Sequence, residues 1–219
     1  MPQDARGIIR RPTEVTAVET RIDLENPVVL WPHFLDAASS ATLFNRCRDT
    51  LEWHAETFSI FGRTIEVPRR VAWVGDRGLD YRYAARSHEG AGWPAWLTPT
   101  RAAISRFGDC ALNHVVFNLY RHGNDHMGWH RDDETGVAGP VWVLSLGTSR
   151  RLRYRKGPGT PATTVKLDAG SLLRLDGRVQ HTLLRDSTSR DERISLSFRN
   201  LTDVNMAPAL PLQRRSRGE

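Results

Sequence analysis

The chain is poor in cysteine: Cys47 and Cys110 are the only two in 219 residues. Two thiols cannot build a disulfide framework, and their spacing matches no zinc motif, so both are expected to be buried free thiols. Long apolar runs are also missing, since none approaches the roughly 20 residues that cross a bilayer. The opening stretch MPQDARGIIRRPTEV lacks the apolar segment of a secretory signal. The expectation is therefore a cytoplasmic protein with no membrane partner. Lysine is nearly absent as well: Lys156 and Lys166 stand alone, so almost all of the 31 basic side chains are arginine. Arginine's planar fork suits bidentate contacts to phosphate. Against 25 acids this gives a formal net charge of +6, a balance that favours a polyanionic partner.

What is there is ordinary globular material, 39% hydrophobic and 26% charged, in a chain long enough to bury a core without covalent staples. Residues 1–26 read as a polar, poorly ordered arm, and residues 203–219 as a disordered tail. PVVLWPHFL (27–35) is strand-like. Asp36, or Ser39 and Ser40, can cap a helix that puts Leu43, Phe44, Cys47 and Leu51 on one face. Residues 54–75 read as a β-hairpin, with Phe61-Gly62 near the turn and Pro68 on an edge. A second helix starts near Pro94 or Pro99. From Cys110 onward the pattern becomes short strands punctuated by Gly, Asp and Pro: 111–121, 139–148, 150–157, 162–177, 180–186 and 193–201. Such a series without intervening helices indicates a β-sandwich or barrel. The fold class is thus mainly β with two flanking helices, with no repeat and no domain linker.

Residues 123–134, GNDHMGWHRDDE, put two histidines among four acids. His130-Arg131-Asp132 has the spacing His-x-Asp, and on a strand positions i and i+2 face the same side. Alone this pattern is common by chance. A third ligand from another strand would complete it, and His181 in RVQHTLLRD is the best candidate. Two histidines and a carboxylate form the facial triad that leaves positions open on non-haem Fe(II). RISLSFR adds Arg193 and Arg199, six positions apart and so on one face of a strand. If that face is buried, the two arginines call for a bound dicarboxylate or a carboxylate nearby; the alternative is a surface-facing strand with both in solvent.

NLYRHGNDHMGWHRDDE, followed by His181 and RISLSFR, resembles the AlkB family of Fe(II)/2-oxoglutarate-dependent dioxygenases, nucleic-acid dealkylases built on a double-stranded β-helix (jelly roll). The resemblance covers roughly residues 27–202, read as a single domain. Residues 27–109 would supply helices and nucleotide-recognition hairpins, and 110–202 the jelly-roll core. Residues 61–83 look like the lesion-recognition region of the subgroup acting on duplex DNA, typified by human AlkB homologue two. The resemblance implies that His130, Asp132 and His181 hold iron, and that Asn118 and Tyr120 contact 2-oxoglutarate. It further implies that Arg193 pairs with the distal carboxylate and that Arg199 lies near Asp132. Ser195 stands where the family usually has Asn, and a hydroxyl can replace that hydrogen bond. Tyr81 and Tyr83 would line the lesion pocket, Asp133 and Glu134 would contact the damaged base, and Ile60-Phe61 would form a wedge at a hairpin tip.

Arg69, Arg70, Arg150, Arg151, Arg153, Arg155 and Lys156 are candidate phosphate contacts. The implied reaction uses Fe(II), 2-oxoglutarate and O2 to demethylate N1-methyladenine and N3-methylcytosine in DNA, single- or double-stranded, releasing formaldehyde and succinate. A monomer is expected. The alternatives are the same chemistry on RNA, tRNA included, or on etheno adducts, and a non-catalytic nucleic-acid-binding jelly roll.

Overall fold

The structure is a computed structural model that describes residues 26–202 except 61, 62, 84, 85 and 135, with side chains described for all of these but 58–60 and 80–88. The order of elements is β1 (Val28–Trp31), α1 (Ala37–Thr50), β2 (His54–Ile60), β3 (Arg63–Gly75), β4 (Asp80–Tyr83), β5 (Arg86–Glu89), α2 (Thr98–Gly108), β6 (His114–Tyr120), β7 (Met127–His130), β8 (Val137–Gly147), β9 (Arg150–Arg155), β10 (Thr163–Leu167), β11 (Leu172–Leu175), β12 (Gln180–Leu183) and β13 (Arg193–Leu201).

Seven strands form a larger sheet in the order β1-β11-β8-β13-β6-β3-β2, and four form a smaller one, β10-β9-β12-β7. All of these pairings are antiparallel, and β4 and β5 make a separate hairpin. The strand-like run at 27–35 and the hairpin at 54–75 were expected beside a C-terminal β-sandwich rather than within it. β1 pairs with β11 and β3 with β6, so N-terminal strands complete the same sheet as C-terminal ones.

Alternation along β13 explains the layers. Ile194, Leu196 and Phe198 point to the face that packs against the helices, in a cluster with Leu43, Cys47 and Ile104. Arg193, Ser195, Ser197 and Arg199 point to the other face, toward the small sheet. A second apolar cluster, including Val141, Val143 and Leu175 from the large sheet and Leu152 and Leu167 from the small one, fastens the two sheets together. One end of the space between the sheets is polar, and the candidate site lies there.

Local chemistry sets the element ends. Asp36 caps α1 by accepting from the Ser39 N–H at 2.8 Å, which decides between the three caps that the sequence allowed. Pro99 sits in the first turn of α2, and Asp109 ends that helix in the left-handed conformation. Gly108 lets α2 press onto the large sheet, because a Cβ there would lie 2.3 Å from the Trp142 ring. Pro68 is not on an edge strand. β3 lies between β2 and β6, and its pairing with β2 shifts register between Ala55 and Thr57. Pro68 falls in the stretch that this irregularity leaves out of the ladder, where its missing N–H is not needed. Among the described residues no helix is long and apolar enough to cross a membrane.

Candidate metal centre and active-site cavity

Register brings the two histidines together. β12 pairs with β7 so that His181 lies opposite His130, and their ring centroids are 4.0 Å apart. β7 ends at His130, so Asp132 is not on the strand as the i, i+2 argument had it. It reaches the site from the following loop, where its N–H donates to the Gly177 carbonyl at 3.1 Å. That approach needs a glycine, since a Cβ at 177 would stand 2.6 Å from the Asp132 carbonyl oxygen. One ligand atom from each of His130, Asp132 and His181 lies within 4.8 Å of the other two.

The donors have the chemistry a metal requires. His130 Nδ1 is 2.8 Å from the Gly128 carbonyl and His181 Nδ1 is 3.1 Å from the Val179 carbonyl. A carbonyl only accepts, so both Nδ1 atoms carry the proton and both Nε2 lone pairs are left for an ion. Burial, reinforced by the neighbouring His130, pushes His181 down to about 4, so the ring is neutral near pH 7. Burial alone would raise the Asp132 carboxyl, but the positive charge of Arg199, with the two imidazoles and Arg69, holds it below the usual carboxylate range. Asp132 Oδ1 accepts from Arg199 Nη2 at 2.8 Å, while Oδ2 faces His181 Nε2 at 3.6 Å. Arg199 thus occupies one carboxylate oxygen and leaves the other toward the histidines.

These groups border a cavity of about 160 Å³, a size that accommodates a small organic ligand. Of the residues predicted from sequence, Asn118, Tyr120, His130, Asp132, Glu134, His181, Arg193, Ser195 and Arg199 all line it. Arg193 is 2% exposed. Its Nη2 donates to Ser145 Oγ at 3.0 Å and its guanidinium lies 5.3 Å from the Tyr120 ring centroid. Its Nε has no partner, and burial brings the group down to about 10. Among the described residues no carboxylate makes an ion pair with it. A buried cation facing a cavity with an open donor is a receptor for an anion.

Arg199 meets two carboxylates, Asp132 and, at 3.3 Å, Glu134. Burial raises the Glu134 carboxyl, against Arg199 and with Asp132 adding to the rise. Asp133 is exposed and does not line the cavity, so of the two acids expected to face a base only Glu134 is at the wall.

Burial corrects the list of phosphate contacts. Arg69 is 6% and Arg150 1% exposed. Arg69 Nε donates to Asn118 Oδ1 at 2.7 Å, and Glu56 stands 3.6 Å from its Nη2. Arg69 therefore orients Asn118 from behind rather than reaching a strand outside. Arg150 donates to the carbonyls of Gly123, Asp125 and Leu184 at 3.2, 2.8 and 2.6 Å, which ties down the loop before β7. Ile60, Tyr81 and Tyr83 lie on β2 and β4, but their side chains, like Phe61 altogether, fall outside the described residues. Sequence reasoning missed Ser145, the hydroxyl partner of Arg193. A polar residue inside the apolar run VWVLSLG was the available signal.

A triad of this composition beside a buried anion receptor, between the two sheets of a jelly roll, defines a 2-oxoglutarate oxygenase site. The model of the 2OG-Fe(II) oxygenase superfamily matches residues 27–199, and the chain belongs to that family. Its relatives are AlkB proteins. Alpha-ketoglutarate-dependent dioxygenase alkB homolog 3 of Bos taurus is 30% identical over 191 residues, covering 80% of this chain and 66% of that protein. DNA oxidative demethylase ALKBH2 of Bos taurus is 31% identical over 156 residues, covering 65% of this chain and 56% of the relative. The chain therefore matches just under two thirds of the first relative's length and a little over half of the second's. A 2OG-Fe(II) oxygenase family oxidoreductase from Burkholderia pseudomallei shares the fold, with a TM-score of 0.61 at 17% identity over 88% of this chain and 93% of that one. Membership implies Fe(II), 2-oxoglutarate and O2 as cofactors, and the triad could hold the metal.

Proposed function

We propose that this chain oxidatively demethylates alkylated bases in nucleic acid, with N1-methyladenine and N3-methylcytosine in DNA as substrates. The observation that carries the reading is the pairing of a preformed donor triad with Arg193, a buried cation with no carboxylate partner among the described residues. The names of the relatives, one of them a DNA oxidative demethylase, supply the substrate class. When bound, iron with 2-oxoglutarate and O2 supplies the oxidation of an N-methyl group, with succinate, CO2 and formaldehyde as products.

The chain's own residues do the rest. His130 and His181 offer their Nε2 atoms, and Asp132 offers the oxygen that faces His181. Arg193, steadied by Ser145 and Tyr120, takes the distal carboxylate of the dicarboxylate. Asn118, with its oxygen already engaged by Arg69, has only amide N–H groups left to donate toward the cavity. Ser195 can donate or accept through its hydroxyl where a longer amide is absent. Glu134 places a carboxylate at the wall, and a cationic methylated base is attracted there while a neutral base is not. Tyr81, Tyr83 and the Ile60-Phe61 tip are assigned to base recognition, since a base must leave its stack to reach the metal.

The test is incubation of the chain with Fe(II), 2-oxoglutarate and matched single- and double-stranded oligonucleotides, DNA and RNA, each carrying one methylated base. The expected result is loss of the methyl mass and release of formaldehyde, largest on DNA. Succinate formation with no demethylation of any nucleic acid would overturn the substrate. Preference for the RNA strands would favour RNA as the natural partner.

A further inference from the structure

The outer face of the small sheet carries a row of basic side chains. Leu152 and Tyr154 of β9 pack inward, so Arg151, Arg153 and Arg155 point outward in a column. Alternate residues on a strand repeat at roughly 6.5 Å, an interval that an extended sugar–phosphate chain can follow. Among the described residues none of the three arginines forms an ion pair within 4.0 Å, and Arg151 and Arg153 are exposed. Asp186 feels Arg151 only at longer range and is satisfied by Thr188. Lys166, across from Arg151, is already paired with Asp168 and is not counted.

At the β7 edge of the same face stands Trp129, 40% exposed. The Arg155 guanidinium lies 4.2 Å from its ring centroid, and Arg155 Nε donates to Gln180 at 2.9 Å. Arg155 therefore holds the ring in place. Trp129 and Gln180 are each one residue from a metal-ligand histidine and so lie on the opposite face of the small sheet, at the strands that carry the site. Trp129 is exposed, and Arg151 and Arg153 make no ion pair among the described residues that would account for them. Together they have the composition of a platform on which one base stacks while the backbone tracks along cations.

We propose that the outer face of the small sheet binds a single nucleic-acid strand, one flanking base stacking on Trp129 and the phosphates running along Arg155, Arg153 and Arg151. The proposal rests on nucleic acid as the substrate of the candidate site, and it adds where the strand continues beyond the reacting base. The occupant is a nucleic-acid strand rather than an anionic lipid surface because a partly exposed aromatic ring held by an arginine beside a row of cations suits a planar base and its phosphates.

The test uses the full chain and an unmodified, fluorescein-labelled fragment of oligothymidylate, with binding followed by anisotropy over a salt series. Arg151→Glu with Arg153→Glu should weaken binding at least tenfold and lower the slope of log K against log salt by about 1.4, two contacts on a single strand. Trp129→Ala should weaken it roughly five- to a hundredfold, and Trp129→Phe should recover most of the loss. Melting temperatures report that the surface variants fold. Unchanged affinity and slope in folded variants would overturn the proposal. So would loss of binding to phosphatidylserine vesicles with no effect on the oligonucleotide, which would assign the face to a membrane. Demethylation of a methylated trinucleotide, too short to reach the column, separates the two readings. Turnover there with no effect of the variants on strand binding sinks the platform alone, whereas strand binding through the platform with no turnover sinks the substrate assignment alone.

Discussion

Arg193 is the residue on which the site's chemistry turns, because it is a buried cation prepared for a ligand it does not contain. Hydrogen bonds to charged groups contribute on the order of 1.5–3 kcal/mol each. Arg193→Ala should therefore weaken 2-oxoglutarate binding roughly ten- to hundredfold, measured by titration of the metal-loaded chain. Unchanged affinity would mean that the distal carboxylate binds elsewhere. Asp132→Ala should abolish turnover, and it should also destabilise the fold, since Arg199 would lose one of the two carboxylates it meets among the described residues and keep Glu134. Losing one partner of a buried ion pair costs about 3–5 kcal/mol when nothing replaces it, and the retained Glu134 should hold the loss near the lower end. A melting curve unaffected by the substitution would show that Arg199 does not depend on Asp132.

The triad and the two arginines were legible through the resemblance of the spaced motifs taken together, since His-x-Asp alone is common by chance and two arginines on a strand fit a solvated face equally well. Burial of Arg69 and Arg150 was not. Arg150 and Arg151 are neighbours of identical chemistry, yet one is 1% exposed and the other lies on the surface. What separates them is strand polarity together with the carbonyls that happen to converge on one side, and neither is written locally. The choice of Glu134 over Asp133 is of the same kind, since it depends on how the loop after β7 turns.

At the scale of elements, the metal strand β7 depends on the loop that feeds it. Asp125 is buried there and accepts from the Arg121 N–H, Nε and Nη2 at 2.9, 2.8 and 3.0 Å. Burial would raise its carboxyl, but the bonds and charge of Arg121 outweigh this and hold it below the usual range. A carboxyl depressed in the folded state contributes stability that is fully present above its unfolded value, about 3.9. That stability is lost as pH falls through the folded value. Asp125→Asn should therefore destabilise the chain by about 2 kcal/mol near neutral pH. The gap between variant and parent should close as the pH drops below about 4. Urea denaturation across that range measures it, and a gap independent of pH would assign the loss to packing.

Element types were largely readable: the Asp36 cap, Pro99 in the first turn of α2 and the alternation in β13 are local signals. Strand ends and register were less so. The sequence does not say that β7 stops at His130, because the stop is set by the Asp132 N–H turning to Gly177 some forty-five positions away.

The whole molecule is organised so that one sheet is covered on both faces, by helices on one and by the small sheet on the other, with polar groups confined to one end of the intervening layer. The sequence carried the β-sandwich. It did not carry the return of β1 and β3 into the C-terminal sheet, since antiparallel partners far apart in sequence leave no local mark. The site draws on β6, β7, β12 and β13 and so ties both sheets together, which couples ligand binding to global stability.

A ligand that binds only the folded state stabilises it by about 2.7 kcal/mol when present at a hundred times its dissociation constant. Mn(II), used in place of iron to avoid oxidation, should raise the melting temperature, and 2-oxoglutarate should add a further rise. His181→Ala should abolish the first shift and with it the second. Arg193→Ala should keep the metal shift and lose most of the additional one, because its side chain meets the dicarboxylate rather than the ion. Differential scanning fluorimetry of the three chains decides between these patterns. A full Mn(II) shift in His181→Ala would remove β12 from the metal centre. Retention of the 2-oxoglutarate increment in Arg193→Ala would leave the buried guanidinium without the anion that its surroundings call for.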